Sequence, residues 1–112
     1  TVEVQEWGCG ALRNLAKNST HNRQRITSMG GIELVPKALK HHPSAVKVQE
    51  CGCGALGSFA YGSIPNQERI VQLGGVTLLR RALKVHHAAV EVQASVVAAL
   101  QHLSLGLMKR AC

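Results

Sequence analysis

The chain has 112 residues, with 13 Lys and Arg against 6 Asp and Glu side chains and a formal net charge of +7. This length sets a limit of one domain, and the sequence contains no run of 18 apolar residues that would predict a membrane-spanning helix. Because there is only one Trp, one Tyr and one Phe, the apolar content is aliphatic side chains and cysteine. Such side chains suit thin helical layers that pack on their neighbours.

The sequence repeats itself with a period of 44 residues. The VxVQ motif recurs at 2–5, 46–49 and 90–93, and the Gly-Gly pair at 30–31 and 74–75. When residues 2–45 are placed over 46–89 without a gap, 22 of the 44 positions are identical. One structural unit is therefore used about two and a half times, which predicts a solenoid and an extended surface as the functional feature.

The segment that contains the VxVQ motif is predicted to be a long helix. Within 44–60, apolar or small residues recur at i, i+4, i+7, i+8 and i+11, which is one face of a helix. The predicted face consists of Val48, Gly52, Ala55, Leu56 and Phe59, of Val4, Gly8, Ala11, Leu12 and Leu15, and of Val92, Val96, Ala99, Leu100 and Leu103. Glycine inside a helix costs up to about 1 kcal/mol relative to alanine, so we expect the recurring glycines to admit a neighbouring helix.

A short helix and a medium helix follow the long one. The short helices are predicted over 22–29 and 66–73, and the medium helices over 32–41 and 76–86. Ser19 and Ser63 are candidate N-caps of the short helices, and Pro65 suits a first helical turn. The first glycine of each pair is a natural C′ residue, and the second opens the medium helix. The predicted buried stripe of the medium helices is Leu34, Ala38 and Leu39, and Leu78, Ala82 and Leu83.

The three-helix unit with its Gly-Gly corner resembles the armadillo repeat over residues 2–104. The resemblance is carried by VxVQExGxGALxx(L/F)A in the long helix, NxxRI in the short helix and GG(I/V)xxL at the corner. HEAT repeats, which usually have two helices and lack this corner, are the alternative. The resemblance implies an all-α, right-handed α-solenoid that is a fragment of a longer armadillo-repeat protein. Residues 1–18 would be the third helix of an incomplete repeat, 19–60 and 63–104 complete repeats, and 105–112 a tail or the start of another.

Armadillo arrays resemble extended peptide receptors, so the resemblance implies a concave groove lined by the third helices, which are the long helices here. The family often places Asn on each third helix to bind a peptide main chain. The expected groove positions are Trp7, Gly10, Arg13, Asn14, Cys51, Gly54, Ser58, Tyr61, Ala98, Gln101 and His102. Only Asn14 keeps the family's Asn, and the Trp ladder of nuclear-import adaptors is absent, so binding of a nuclear-localisation signal is not expected. Trp7 and Tyr61 are candidate hot spots; the alternative for Trp7 is packing on a preceding repeat.

The basic side chains also repeat, on the medium helices. They form a basic ridge of Lys37, Lys40, Arg80, Arg81 and Lys84 on the side away from the groove. One interpretation is an anionic partner such as nucleic acid or a membrane surface. The other is solvated charge near helix C-termini, where the helix dipole favours cations. The lack of interleaved aromatic side chains favours the second interpretation.

No catalytic, cofactor-binding or metal site is predicted. Cys9 and Cys53 occupy the same position of successive long helices, where we expect small buried apolar residues. Cys51 and Cys53 are two positions apart on one helix and cannot chelate one metal together. The chain contains no Asp, and Gly8-x-Gly10 lies within a helix rather than after a strand, where a phosphate loop would be.

The sequence therefore predicts a protein–protein interaction scaffold, and not an enzyme, that binds an extended peptide or partner protein along the third-helix groove. The alternatives are electrostatic binding of nucleic acid or an anionic membrane through the basic ridge, and a purely structural spacer. Because solenoid ends need polar caps and neither end has one, we expect self-association or a longer parent chain. The cysteine usage favours a reducing compartment, so we expect an intracellular, cytoplasmic location, with a nuclear or a cytoskeleton- or cilium-associated one as alternatives.

Overall fold

The computed structural model describes the backbone of residues 1–17 and 19–111 and the side chains of 1–17 and 19–104. Over these residues the chain forms seven α-helices and no strand, so the predicted all-α fold is confirmed. The long helices are α1 (Val2–Ala16), α4 (Val46–Ala60) and α7 (Val90–Ala111), the short ones α2 (Thr20–Ser28) and α5 (Ile64–Gln72), and the medium ones α3 (Gly31–His41) and α6 (Gly75–Val85). None of the described helices combines the length and the apolar character needed to cross a bilayer.

The corners between the helices follow from local chemistry. Ser19 Oγ and Ser63 Oγ each accept a hydrogen bond from the backbone N–H three residues later, at 3.1 and 3.3 Å, so both predicted N-caps are confirmed. Gly30 and Gly74 have φ values of 82° and 80° between the short and medium helices. This left-handed conformation is strained for residues with a Cβ, and it turns the chain sharply enough for the next helix to begin at once.

In the segment 105–112, which we predicted to be a tail or the start of another repeat, α7 continues to Ala111. The two earlier long helices end before Ser19 and Ser63, which cap the next helix. The residue one period after Ser63 is Leu107, which has no side-chain acceptor for a helix N-terminus. Without that stop signal the long helix extends further than its equivalents. Cys112 lies outside the described residues.

The three long helices lie side by side, with α4 in the centre in contact with both α1 and α7, while α3 packs on α4 and α6 packs on α7. The predicted face of α4 is buried over its whole length, and Val48, Leu56 and Phe59 are fully inaccessible to solvent. A Cβ on Gly57 would lie 3.2 Å from the Ala99 Cα, so this glycine permits close approach of α4 and α7. The core is therefore centred on α4.

Two predicted parts of the core are wrong. Leu34 is 57 % exposed, and Val4 and Leu15 on α1 are 63 % and 53 % exposed. The buried residues of α3 are Gly31, Ile32, Val35, Pro36, Ala38 and Leu39. The reason lies in the neighbours. The second unit packs against α3 and α4, whereas nothing among the described residues packs on the outer side of α1 and α3.

Candidate functional site

An open groove of about 1340 Å³, here called the long groove, runs across the three long helices. Of the predicted groove residues, it brings together Trp7, Gly10, Arg13, Asn14, Cys51, Gly54, Ser58, Tyr61, Ala98 and His102. Gln101 is exposed but does not line it. The equivalent residues Arg13 and Gly57 face the next long helix, and no further long helix follows α7 among the described residues. Gln101 therefore lies outside the long groove formed by the described residues.

The two large aromatic side chains of the long groove are exposed to solvent. Trp7 is 80 % exposed and Tyr61 is 59 % exposed. The Tyr61 ring contacts the His102 imidazole edge-on, with ring centroids 5.2 Å apart. The Arg23 guanidinium lies 5.6 Å from the same Tyr61 centroid, within the range of a cation–π interaction. Tyr61 is thus held in place by two neighbours while much of its surface remains available to a partner.

The small residues of the groove have different roles. A Cβ on Gly54 would lie only 2.8 Å from Arg13 Cδ, so the missing side chain makes room for Arg13 to cross α4. The Arg13 guanidinium then reaches Glu50, with an Nη1–Oε2 distance of 3.7 Å, and Lys47 Nζ lies 3.4 Å from the other carboxylate oxygen. Gly10 by contrast lies in open space apart from Cys51, 3.8 Å from its hypothetical Cβ.

Arg23 is a groove residue that the sequence analysis missed. Its Nη1 donates to the Ala16 carbonyl at 2.8 Å, and one period later Gln67 Nε2 donates to the equivalent Ala60 carbonyl at 2.7 Å. The two residues therefore close the same corner, but Arg23 also brings a charge to the ring of Tyr61. The sequence signal for this role is a departure from the repeat, because position 23 is Arg whereas the equivalent position 67 is Gln. The predicted groove residues lie on or directly after the long helices, and Arg23 lies on a short helix.

The charges of the long groove are unequally distributed. Its charged lining is Glu6, Arg13, Lys17, Arg23, Lys47 and Glu50. Glu50 is the partner of both Arg13 and Lys47. Among the described residues no carboxylate forms an ion pair with Lys17 or Arg23. The end of the groove next to Tyr61 is therefore cationic, whereas the charges nearer its centre are compensated.

The described cysteines, Cys9, Cys51 and Cys53, are free thiols and are buried. Burial raises the pKa of Cys9 to about 11 and that of Cys53 to about 12. Burial also raises the pKa of Cys51, which lines the long groove but is only 9 % exposed. Since the thiolate is the nucleophile, all three are weak nucleophiles at neutral pH. The predicted burial of Cys9 and Cys53 is confirmed.

The basic ridge is not a uniform set of free charges. Arg81 is partly buried, and its Nη2 donates to the Leu39 carbonyl at 2.6 Å, so it joins α6 to α3. Lys40, Arg80 and Lys84 are exposed. Lys37 lines a second, smaller groove at the other side of α1. Part of the ridge thus has a structural role between the medium helices.

Comparison with protein-family models, with curated proteins and with solved structures finds no match to this chain. The functional conclusion accordingly depends on the geometry of the groove and on the internal repeat.

Proposed function

We propose that the chain is an armadillo-type α-solenoid segment that binds an extended segment of a partner protein along the long groove. The observation that carries this proposal is the pair of exposed aromatic side chains, Trp7 and Tyr61, in an open groove whose other lining residues are mostly small. Exposed aromatic anchors separated by small residues suit a chain that lies flat between them. Binding hot spots are enriched in such side chains.

The middle of the groove offers hydrogen bonds to a peptide main chain. Asn14 is exposed, and its carboxamide makes no hydrogen bond to another described residue. A carboxamide donates and accepts at once, which matches the N–H and C=O of an extended residue. Ser58 differs, because its hydroxyl already donates to the Gly54 carbonyl at 3.2 Å within α4. Asn14 is therefore the main-chain anchor in this proposal, and Ser58 contributes shape.

The cationic end of the groove selects an acidic side chain of the partner. The Arg23 guanidinium is held by the Ala16 carbonyl, the Thr20 hydroxyl and the Tyr61 ring, so little conformational entropy is lost when it receives a carboxylate. Lys17 adds a second, mobile positive charge to the same end. A partner with Asp or Glu near its contact with Tyr61 therefore fits this end, whereas a basic segment is repelled.

The experiment is selection of random 12-residue peptides displayed on phage against the immobilised protein. Selected peptides are expected to be enriched in Asp and Glu and to bind at least about tenfold more weakly to Tyr61→Ala and to the Trp7→Ala/Asn14→Ala double variant, which corresponds to about 1.4 kcal/mol. The matched control is Met29→Ala, since Met29 is 77 % exposed but lines neither groove. Peptides that bind all the variants equally would remove the long groove as the site.

A further inference from the structure

The cationic end of the long groove contains two positive charges that no described carboxylate compensates. Lys17 and Arg23 both line the groove there, and among the described residues neither forms an ion pair. Lys17 is exposed and Arg23 is partly buried. Nearer the centre of the groove, Arg13 and Lys47 share the carboxylate of Glu50. A single partner carboxylate would therefore neutralise only half of the charge at the cationic end.

The repeat shows that the fold does not need the charge at position 23. Arg23 Nη1 donates to a carbonyl at the end of α1 at 2.8 Å, and Gln67 Nε2 donates to the equivalent carbonyl at the end of α4 at 2.7 Å. An uncharged carboxamide thus closes the same corner between a long and a short helix. The residue one period after Lys17 is Tyr61, which is also not a cation. Both charges are therefore additions to the repeated framework, and closing the corner does not explain them.

The Arg23 guanidinium is held in place and still has hydrogen-bond donors to offer. One N–H group donates to the Ala16 carbonyl and another to the Thr20 hydroxyl at 3.0 Å. The Tyr61 ring centroid lies 5.6 Å from the central carbon of the guanidinium. A guanidinium has further N–H groups, and these have no acceptor among the described residues. An oxyanion can accept from them while the side chain keeps its conformation, so that little entropy is lost on binding.

The ends of the long helices do not oppose an anion at this place. The C-terminus of a helix carries a partial negative charge, because its last carbonyls lack partners within the helix. Here the Ala16 carbonyl accepts a hydrogen bond from Arg23, and the Gly57 carbonyl lies 2.8 Å from His102 Nδ1. Side-chain donors thus screen carbonyls in the last turns of α1 and α4, and the positive charges dominate this end of the groove.

We propose that the cationic end of the long groove binds the phosphate monoester of a phosphorylated side chain in the partner segment, an inference that rests on the proposed function of the groove. At neutral pH such a phosphate carries a charge of about −1.5 to −2 and three acceptor oxygens. This charge matches that of Lys17 and Arg23 together, and the oxygens match the ammonium and the free guanidinium donors. A carboxylate provides one charge and one oxygen fewer.

The distribution of charge favours a phosphorylated protein segment over nucleic acid. A nucleic acid strand carries a phosphodiester at every nucleotide, and its affinity depends on a row of cations that contact successive phosphates. In the long groove the uncompensated cations lie at one end only. Towards the centre Glu50 is the partner of Arg13 and Lys47, and Glu6 adds a further negative charge to the lining.

The probes are fluorescein-labelled pools of 12-residue peptides that are random except for one fixed central residue. That residue is serine, glutamate, phosphoserine or phosphotyrosine. Fluorescence anisotropy follows binding as the whole protein is titrated to about 1 mM. At least one phosphorylated pool is expected to bind about tenfold or more tightly than the glutamate pool, because it places a second charge between the two cations. The tighter of the two phosphorylated pools identifies the phosphorylated side chain that the groove takes.

Arg23→Gln is the main variant, because Gln67 shows that a glutamine at this position closes the corner. It should keep the helical circular dichroism and the urea midpoint of the unchanged protein while the phosphorylated pool binds at least about fivefold more weakly. Lys17→Gln, a change of an exposed side chain, should weaken binding several-fold. The matched control is Arg25→Gln, which removes the same charge from the same helix. Arg25 is exposed and does not line the long groove, so this variant should bind like the unchanged protein.

The proposal is overturned if neither phosphorylated pool binds more tightly than the glutamate pool. It is also overturned if Arg25→Gln weakens binding as much as Arg23→Gln, because net charge alone would then account for the affinity. A labelled oligothymidine of 12 nucleotides that binds more tightly than both phosphorylated pools, and depends on Arg23, would reassign the site to nucleic acid.

The failure of this inference can be told apart from the failure of the proposed function. If the phosphorylated pools show no advantage while phage-selected peptides still require Tyr61, Trp7 and Asn14, the groove stands and the phosphate site is removed. If a phosphorylated pool depends on Arg23 but binds the Trp7→Ala/Asn14→Ala protein unchanged, the phosphate site stands and the extended groove is removed.

Discussion

Alanine at Gly8 and at Gly52 tests the packing of the repeat with one substitution in two settings. The two glycines are equivalent, at the same position of α1 and α4. A Cβ at Gly52 would lie 2.6 Å from Leu39 Cδ2 and 3.2 Å from Leu39 Cγ, whereas a Cβ at Gly8 meets nothing within 4 Å. Leu39 is fully buried, so its side chain cannot move out into solvent. The two variants therefore differ in packing and share their effect on the backbone.

The expected magnitudes follow from two opposing effects. Replacing a helical glycine by alanine adds about 0.5–1 kcal/mol to the free energy of unfolding, at either position. Overpacking against a buried side chain costs about 1–3 kcal/mol. Gly8→Ala should therefore stabilise the protein by about 0.5–1 kcal/mol, whereas Gly52→Ala should destabilise it by up to about 2 kcal/mol. The propensity effect cancels in the difference between the variants, which leaves the packing cost at Gly52.

Urea unfolding followed by far-ultraviolet circular dichroism measures both variants. The slope of the free energy of unfolding against urea should stay constant, so that the midpoints report stability alone. If Gly52→Ala were stabilised as much as Gly8→Ala, Gly52 would not be the packing site of Leu39. A smaller slope in Gly8→Ala alone would mean that α1 unfolds apart from the rest.

Three further expectations concern side chains whose surroundings shift their titration or reactivity. Iodoacetamide followed by peptide mapping should modify Cys51 before Cys9 and Cys53, because Cys51 lines the long groove; earlier modification of Cys53 would contradict its burial. Burial holds the pKa values of Cys9 and Cys53 at about 11 and 12, above the usual 9.0. Their contribution to stability should therefore be complete below pH 9 and decline as the pH rises through these values. Urea unfolding at alkaline pH should show a smaller decline in a Cys53→Ala variant. The hydrogen bond from Arg69 lowers the pKa of Glu33, so their interaction should stabilise the fold at neutral pH and fade in acid, as the pH falls through that lowered value. Since both side chains are exposed, Arg69→Ala should cost less than about 1 kcal/mol, and a larger loss in thermal unfolding at neutral pH would be inconsistent with a surface pair.

The helices and their corners could be predicted from the sequence because their signals are local. Ser19 and Ser63 cap the helices that begin directly after them. Gly30 and Gly74 adopt the left-handed backbone conformation, which depends on the absence of their own Cβ and not on contacts with distant residues. The buried face of α4 was also predictable, since that helix has neighbours on both sides. The burial of the outer residues was not, because an apolar pattern is the same whether or not a neighbouring unit covers it.

The site was only partly predictable for a related reason. The register of the long helices identified Trp7 and Tyr61, because residues one turn apart share a face. It could not show that Gly54 makes room for Arg13, since that contact joins different helices and depends on their separation. Arg23 lies on a short helix, and its approach to Tyr61 depends on the angle of the corner between them.

The repeat supplies internal controls that a single unit would lack. The glutamine side chain is buried and donates two hydrogen bonds at position 49 and makes the same pair at 93, whereas at position 5 it is partly buried and has no hydrogen-bond partner among the described residues. A buried carboxamide must find acceptors or lose about 1–3 kcal/mol, so Gln49 is explained by the fold. At position 5 solvent can satisfy the group, and the folded chain alone gives no reason for a glutamine there. The repeat thus retains Gln5 although the described residues provide no hydrogen-bond partner for its side chain. A helix that ended over Gln5 would accept the two hydrogen bonds that Gln49 and Gln93 donate in the other two copies.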